Sequence, residues 1–217
     1  MDRSRCNSCN RTLSIPDLVP VFSWVVSRGR CRTCKARVPA LYAVAELSLG
    51  VVFVLAYQLF GAGLPLLLFA LSLFLLTVIV LYDLRHTVVP FILSLLLIAT
   101  SALFALSRTP APLLPFVFGI AGIIGLLFWL MYALSKGRAM GLGDAPVALA
   151  LSLLAGTQAI AGVLFSFWIG AVIGILILVL RRGGPTMGIE VPFVPFLALG
   201  FLLALFTGWN PLTILAF

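Results

Sequence analysis

From residue 39 onward the sequence is a succession of apolar runs, each near the length that crosses a bilayer. Spanning the hydrocarbon core takes about 20 helical residues. Lipid offers no partners to backbone N–H and C=O groups, so such runs must satisfy them internally as α-helices. The runs predict spans over 39–60, 64–82, 88–107, 112–134, 144–156, 158–180 and 191–207. Segment 144–156 is short for a full crossing and suits a helix buried inside a bundle. Pro and Gly punctuate the joins, as in Gly61-Ala62-Gly63, Thr109-Pro110-Ala111-Pro112 and Gly183-Gly184-Pro185. Composition agrees: 63% of residues are hydrophobic and 9% charged, against roughly 45–50% and about 25% in soluble domains. The expected fold is all-α: a polytopic bundle of about seven spans.

Residues 1–38 are of a different kind. They hold all four cysteines and eight Lys/Arg residues: Arg3, Arg5, Arg11, Arg28, Arg30, Arg32, Lys35 and Arg37. Met1 to Val38 offers no apolar stretch long enough for the core of a cleavable signal peptide. The expected division is a cysteine module over 1–38 and a membrane domain over 39–217. Loop charge orients the chain. With the N-terminus cytoplasmic, Arg85, Lys136, Arg138, Arg181 and Arg182 join the eight on the inside, and only Arg108 lies outside. That asymmetry accounts for the net charge of +8 as topology and attraction to anionic lipid. A nucleic-acid partner is not expected, because the module has only Phe22 and Trp24 as aromatics and no stacking platform.

Cys6-Asn7-Ser8-Cys9 and Cys31-Arg32-Thr33-Cys34 are paired C-x-x-C knuckles. Two residues between thiolates let both sulfurs reach one tetrahedral ion, the pattern of a four-cysteine zinc ribbon. The alternatives are a disulfide framework or a redox pair. Disulfides need an oxidising compartment, whereas the charge bias places this module in the reducing cytoplasm. Four thiolates fill the zinc sphere, so the metal is expected to be structural.

Six acidic residues leave few candidates for chemistry. Asp2 and Asp17 belong to the module, Glu46 to the first span, and Glu190 precedes the last. Glu46 and Glu190 have no evident role, beyond a buried polar contact for Glu46. Asp83 closes the second span, where the partial negative charge of a helix C-terminus disfavours a carboxylate. Its bland reading is an interfacial Asp paired with Arg85 or His86. Asp144 follows Gly141-Leu142-Gly143 and opens the short segment; its bland reading is a helix N-cap. Topology puts both at the same membrane boundary, on different helices. Two carboxylates sharing one proton can run aspartyl proteolysis, one activating water and the other donating to the carbonyl oxygen. Ionisable groups at membrane depth are functional candidates by default.

Several stretches together resemble the bacterial prepilin peptidases, or type IV leader peptidases. They are Asp17-Leu18-Val19-Pro20-Val21-Phe22-Ser23 between the cysteine pairs, then Tyr42 to Glu46, then Asp83-Leu84-Arg85-His86-Thr87-Val88-Val89-Pro90. Gly141-Leu142-Gly143-Asp144 and Val191-Pro192-Phe193-Val194-Pro195-Phe196 complete the set. The ordered set is specific where G-x-G-D alone is weak. The resemblance implies Asp83 and Asp144 as catalytic residues, with Gly141 and Gly143 as motif support. It implies zinc on Cys6, Cys9, Cys31 and Cys34, and an inner-membrane peptidase that cuts the basic leader from prepilins or pseudopilins at the cytoplasmic face. Many members then methylate the new N-terminus using S-adenosylmethionine. The family pattern usually begins with a further helix bearing an F-G-x-x-x-G-S-F-x-N-like motif, whereas this sequence starts at the cysteines: either it is truncated or this member dispenses with that helix. It also commonly has Lys, Gly and Asp or Asn where this chain has Pro146, Val194 and Phe91. One rival reading is a peptidase without methyltransferase activity. Another is a catalytically silent membrane assembly factor whose zinc module binds a cytoplasmic partner.

Overall fold

The computed structural model describes residues 4–138, 140–180 and 192–211. The described residues are mostly helical and contain no β-strand, only isolated bridges between Arg5 and Thr12 and between Arg30 and Arg37. The chain divides into two compact units, Met1–Gln58 and Leu59–Phe217.

The first unit contains the cysteine knuckles, a 3-10 turn over Ile15–Asp17, the short helix α1 (Phe22–Val26) and most of α2 (Ala40–Phe60). Gly29 has a φ of +65° and lies against Trp24, whose ring would be 2.9 Å from any Cβ added there. The Trp24 indole N–H in turn donates to the Val38 carbonyl at 3.1 Å. This contact closes the loop from α1 that carries the second knuckle.

The second unit contains α3 (Leu64–His86), α4 (Phe91–Arg108), α5 (Leu114–Ser135), α6 (Asp144–Ala155), α7 (Ala159–Leu180) and α8 (Val194–Thr207). With α2, these helices fall on the seven apolar runs. Five stretches among the described residues are long and apolar enough to cross a membrane, with α6 and most of α7 forming one of them. Two boundaries differ from expectation. Helix α3 continues past residue 82 to His86, because Arg85 and His86 complement its C-terminal partial charge. Thr87 then adopts a left-handed cap and returns its N–H to the Asp83 carbonyl at 2.8 Å. Asp83 therefore lies on the last helical turn. Helix α4 starts at Phe91 because Val88-Val89-Pro90 runs extended, as residues before proline prefer.

Helix α6 is the hub of this unit. Its 12 residues make about 18 Å of helix, and ten of them are buried. It touches α4, α5, α7 and α8. Small residues let these neighbours approach, the usual means of packing helices in lipid. A Cβ on Gly125 of α5 would stand 3.0 Å from Leu149 of α6. Between α7 and α8, Gly162 faces Phe201, and Gly200 lies directly against the backbone of Ser166. The Ser166 hydroxyl donates to the Gly162 carbonyl at 2.7 Å and reaches Leu197 of α8 at 3.4 Å. Gly200→Ala is expected to cost about 1–3 kcal/mol through overpacking. A lowered thermal midpoint in detergent would show it. Gly174→Ala, at a position with open space around it, is the matched control and should leave the midpoint unchanged.

Candidate functional site

The last turn of α3 and the first turn of α6 bring Asp83 and Asp144 to one cavity of about 1180 Å³. Both side chains are buried, at 5% and 6% exposure, and they are near enough for their charges to act on each other. Trp129, Phe167 and Phe193 give the cavity apolar walls, and Arg138 is the cation among its described lining residues. This cation enters the cavity from the α5–α6 loop, while Pro146, on the first turn of α6, also lines it.

Neither bland reading matches the geometry. Asp83 makes no ion pair with Arg85 or His86 among the described residues; the His86 ring packs on Tyr82 instead, with centroids 4.6 Å apart. One carboxylate oxygen of Asp83 is buried without a hydrogen-bond partner. The backbone N–H of Val194, the first residue of α8, lies within reach of that carboxylate. The N-cap of α6 is Gly143, not Asp144. The Asp144 carboxylate turns back over the loop and accepts the Gly141 N–H at 3.1 Å. A buried, unsatisfied carboxylate oxygen costs free energy, so the position of Asp83 calls for a function that stability does not supply.

The glycines of Gly141-Leu142-Gly143-Asp144 do different work. A Cβ on Gly141 would make ordinary contact, 3.5 Å from Asp144. A Cβ on Gly143 would overlap Val89, with one methyl carbon at 2.8 Å. Val89 belongs to the extended linker that follows Asp83. The loop before one aspartate therefore packs directly on the linker after the other, fixing both to a common frame.

In the first unit, the Sγ atoms of Cys6, Cys9, Cys31 and Cys34 lie within 4.8 Å of one another, with Cys6 and Cys34 at 3.9 Å. Tetrahedral zinc with bonds of about 2.3 Å separates its sulfurs by roughly 3.8 Å, so the cluster fits a metal of that size. The second knuckle repeats the first bond for bond. The Cys6 N–H donates to the Arg11 carbonyl and the Cys6 carbonyl accepts the Asn10 N–H; the Cys31 N–H donates to the Ala36 carbonyl and the Cys31 carbonyl accepts the Lys35 N–H. In each knuckle the following amides lower the first thiol, those of Ser8 and Cys9 for Cys6 and those of Cys34 and Thr33 for Cys31, which is held at about 6. Thiolates are the metal-binding form.

Asp17 joins the two knuckles. It accepts Arg11 at 2.8 Å and Arg32 at 3.2 Å, and the Ser14 hydroxyl and N–H at 2.7 and 3.0 Å. The Ser14 bonds and the two guanidinium groups hold its carboxyl below the usual range. Arg11 itself lies against the Cys31 sulfur. Asp17→Asn should therefore weaken retention of bound metal about 10–100-fold, as outer-shell losses do. Transfer to a chromogenic chelator measures this. Because the folded carboxyl is depressed, its contribution is complete above about pH 4 and fades as pH falls through the folded value.

The sequence left Glu46 without a role beyond a buried polar contact. It is exposed, and its carboxylate accepts the Val21 N–H at 2.7 Å. Val21 has a φ of +58°, so Glu46 on α2 holds a strained turn of the Asp17–Ser23 segment. A hydrogen bond between residues so far apart leaves no local trace in sequence. Asp17, Val89 and Val194 were likewise missed as contacts, although each sits in a motif. Glu190 and Val191 lie outside the described residues.

Comparison with known proteins places the same segments. Residues 1–60 match the bacterial peptidase A24 N-terminal domain, and residues 68–179 match the type IV leader peptidase family. The prepilin leader peptidase/N-methyltransferase of Aeromonas salmonicida (strain A449) is 33% identical over 210 residues, covering 95% of this chain and 72% of that protein. The protein of the same name from Bacillus subtilis (strain 168) is 29% identical over 208 residues, covering 95% and 82%. That of Burkholderia pseudomallei (strain K96243) is 34% identical over 211 residues, covering 95% and 67%. No solved structure matches the chain.

Proposed function

Because this chain belongs to the type IV leader peptidase family, we propose that it is an aspartyl endopeptidase, removing the leader of prepilins or pseudopilins at the cytoplasmic face of the inner membrane. The observation that carries this reading is the meeting of Asp83 and Asp144, from separate motifs, in one cavity as buried carboxylates. The ionised member of the pair takes a proton from water as the water attacks the scissile carbonyl. The protonated member donates to the carbonyl oxygen. Collapse of the tetrahedral intermediate breaks the C–N bond, and the proton held by the first carboxylate passes to the leaving amine. The proton belongs to the pair and not to either residue.

Amide bonds inside a helix are shielded by their own hydrogen bonds, so the substrate must present an extended segment. The cavity is large enough for several extended residues, and its aromatic walls suit apolar side chains. The concentration of Lys and Arg on one side of the spans supports a cytoplasmic site. Cys6, Cys9, Cys31 and Cys34 would hold zinc, which would cross-link the two knuckles of a module over residues 1–38 and take no part in the reaction. That module opens a membrane domain running from residue 39.

The relatives' names pair peptidase with N-methyltransferase. S-adenosylmethionine would be the methyl donor, and no residue here is assigned to hold it. The test is incubation of the full chain in proteoliposomes with a prepilin, with and without S-adenosylmethionine, followed by intact-mass analysis of the product. The expected product is a single cut after the basic leader. A methyl group that appears only with S-adenosylmethionine assigns the second activity. An uncut substrate would favour the silent assembly factor.

A further inference from the structure

A second cavity, of about 330 Å³, lies at the other end of α6 from the aspartates. Leu113, Val117, Leu153 and Leu154 line it with hydrocarbon, and two polar groups converge on it. Arg108 closes α4 with its guanidinium 4.9 Å from the centroid of the Phe60 ring, and no carboxylate pairs with it among the described residues. Gln158 follows α6, and its side-chain carbonyl oxygen is buried without a hydrogen-bond partner. The site therefore offers a cation, an orphaned acceptor and an apolar groove.

We propose that this cavity binds a phospholipid with a primary-ammonium headgroup, its phosphate on Arg108, its ammonium on Gln158, and an acyl chain along the leucines. Each feature requires a different part of that molecule. Arg108 takes an anion, as guanidinium groups take phosphate. Gln158 accepts from a hydrogen-bond donor, which a primary ammonium supplies in charge-assisted form and a quaternary ammonium lacks. Phosphate alone would satisfy Arg108 but leave the oxygen of Gln158 without a donor. The groove makes the occupant a lipid and not a soluble phosphate ester.

Native mass spectrometry of the full chain, delipidated and re-supplied with one lipid at a time, tests this. The probes are phosphatidylethanolamine, phosphatidylcholine and phosphatidylglycerol with the same acyl chains, and soluble phosphoethanolamine as competitor. Wild type should retain the ethanolamine lipid about tenfold more tightly than the choline lipid, the size of one charge-assisted hydrogen bond. Gln158→Leu should erase that preference, and Gln158→Glu, which keeps the acceptor, should preserve it. Arg108→Gln should weaken all three lipids. Equal binding of ethanolamine and choline lipids to wild type overturns the proposal, as does a preference that survives Gln158→Leu. Displacement by soluble phosphoethanolamine overturns the lipid assignment. Prepilin cleavage by the Gln158 variants reports their folding, because the residue lies outside the aspartate cavity.

Discussion

Asp83→Asn and Asp144→Asn should each lower prepilin cleavage by about 10²–10⁴-fold, the range that a positioned acid or base contributes, while the membrane bundle stays folded. Asn is nearly isosteric with Asp, so the packing of α3 against α4 and α8 and of α6 within the bundle is retained. The ability to exchange a proton is lost. At position 144 the amide can still accept the Gly141 N–H through its oxygen, which leaves the loop in place. The thermal midpoints of both variants should stay near that of wild type. Cleavage assays on proteoliposomes with matched protein content, read beside those midpoints, separate lost chemistry from lost structure. Alanine would confuse the two, because it empties volume beside the cavity.

Gly143→Ala should lower cleavage about 10²-fold, whereas Gly141→Ala should stay within a few-fold of wild type. The two glycines are two positions apart in one motif, and composition gives no reason to separate them. Geometry does. The added methyl at 143 overlaps Val89, and at 141 it finds room. Relief of the overlap pushes the loop before Asp144 away from the linker after Asp83, and a misplacement near 1 Å can cost about 10² in rate. A second substitution checks the cause. Val89→Gly in the Gly143→Ala background should recover much of the lost rate, since it removes the Cβ as well as the two methyls that the added methyl meets. Failure to recover would mean that Gly143 acts through backbone freedom and not through contact with Val89.

The helices were legible because lipid leaves an apolar chain few other structures. Their positions followed from the lengths of the runs, and the shortness of 144–156 already indicated a helix enclosed by others. The end of α3 was not legible to the residue. Hydropathy fades at Tyr82, whereas the helix is carried on to His86 by charge and by the left-handed cap at Thr87. Asp83 and Asp144 could be singled out because carboxylates are rare in this chain and both stand in motifs. Their contacts could not. The Val89 overlap, the Val194 N–H and the Glu46–Val21 bond join residues from different elements, and no periodicity records them. The Asp17 buckle is intermediate: its motif is visible, but the two arginines it joins come from knuckles that only the fold brings together.

The most direct measurement is single-turnover cleavage of a prepilin by wild type, Asp83→Asn, Asp144→Asn and the double variant in the same proteoliposomes. Residues that act as one catalytic unit give strongly non-additive losses. A shared-proton dyad therefore predicts that the double variant cuts no more slowly than the poorer single variant. Losses that multiply, or either single variant cutting at the wild-type rate, would contradict it.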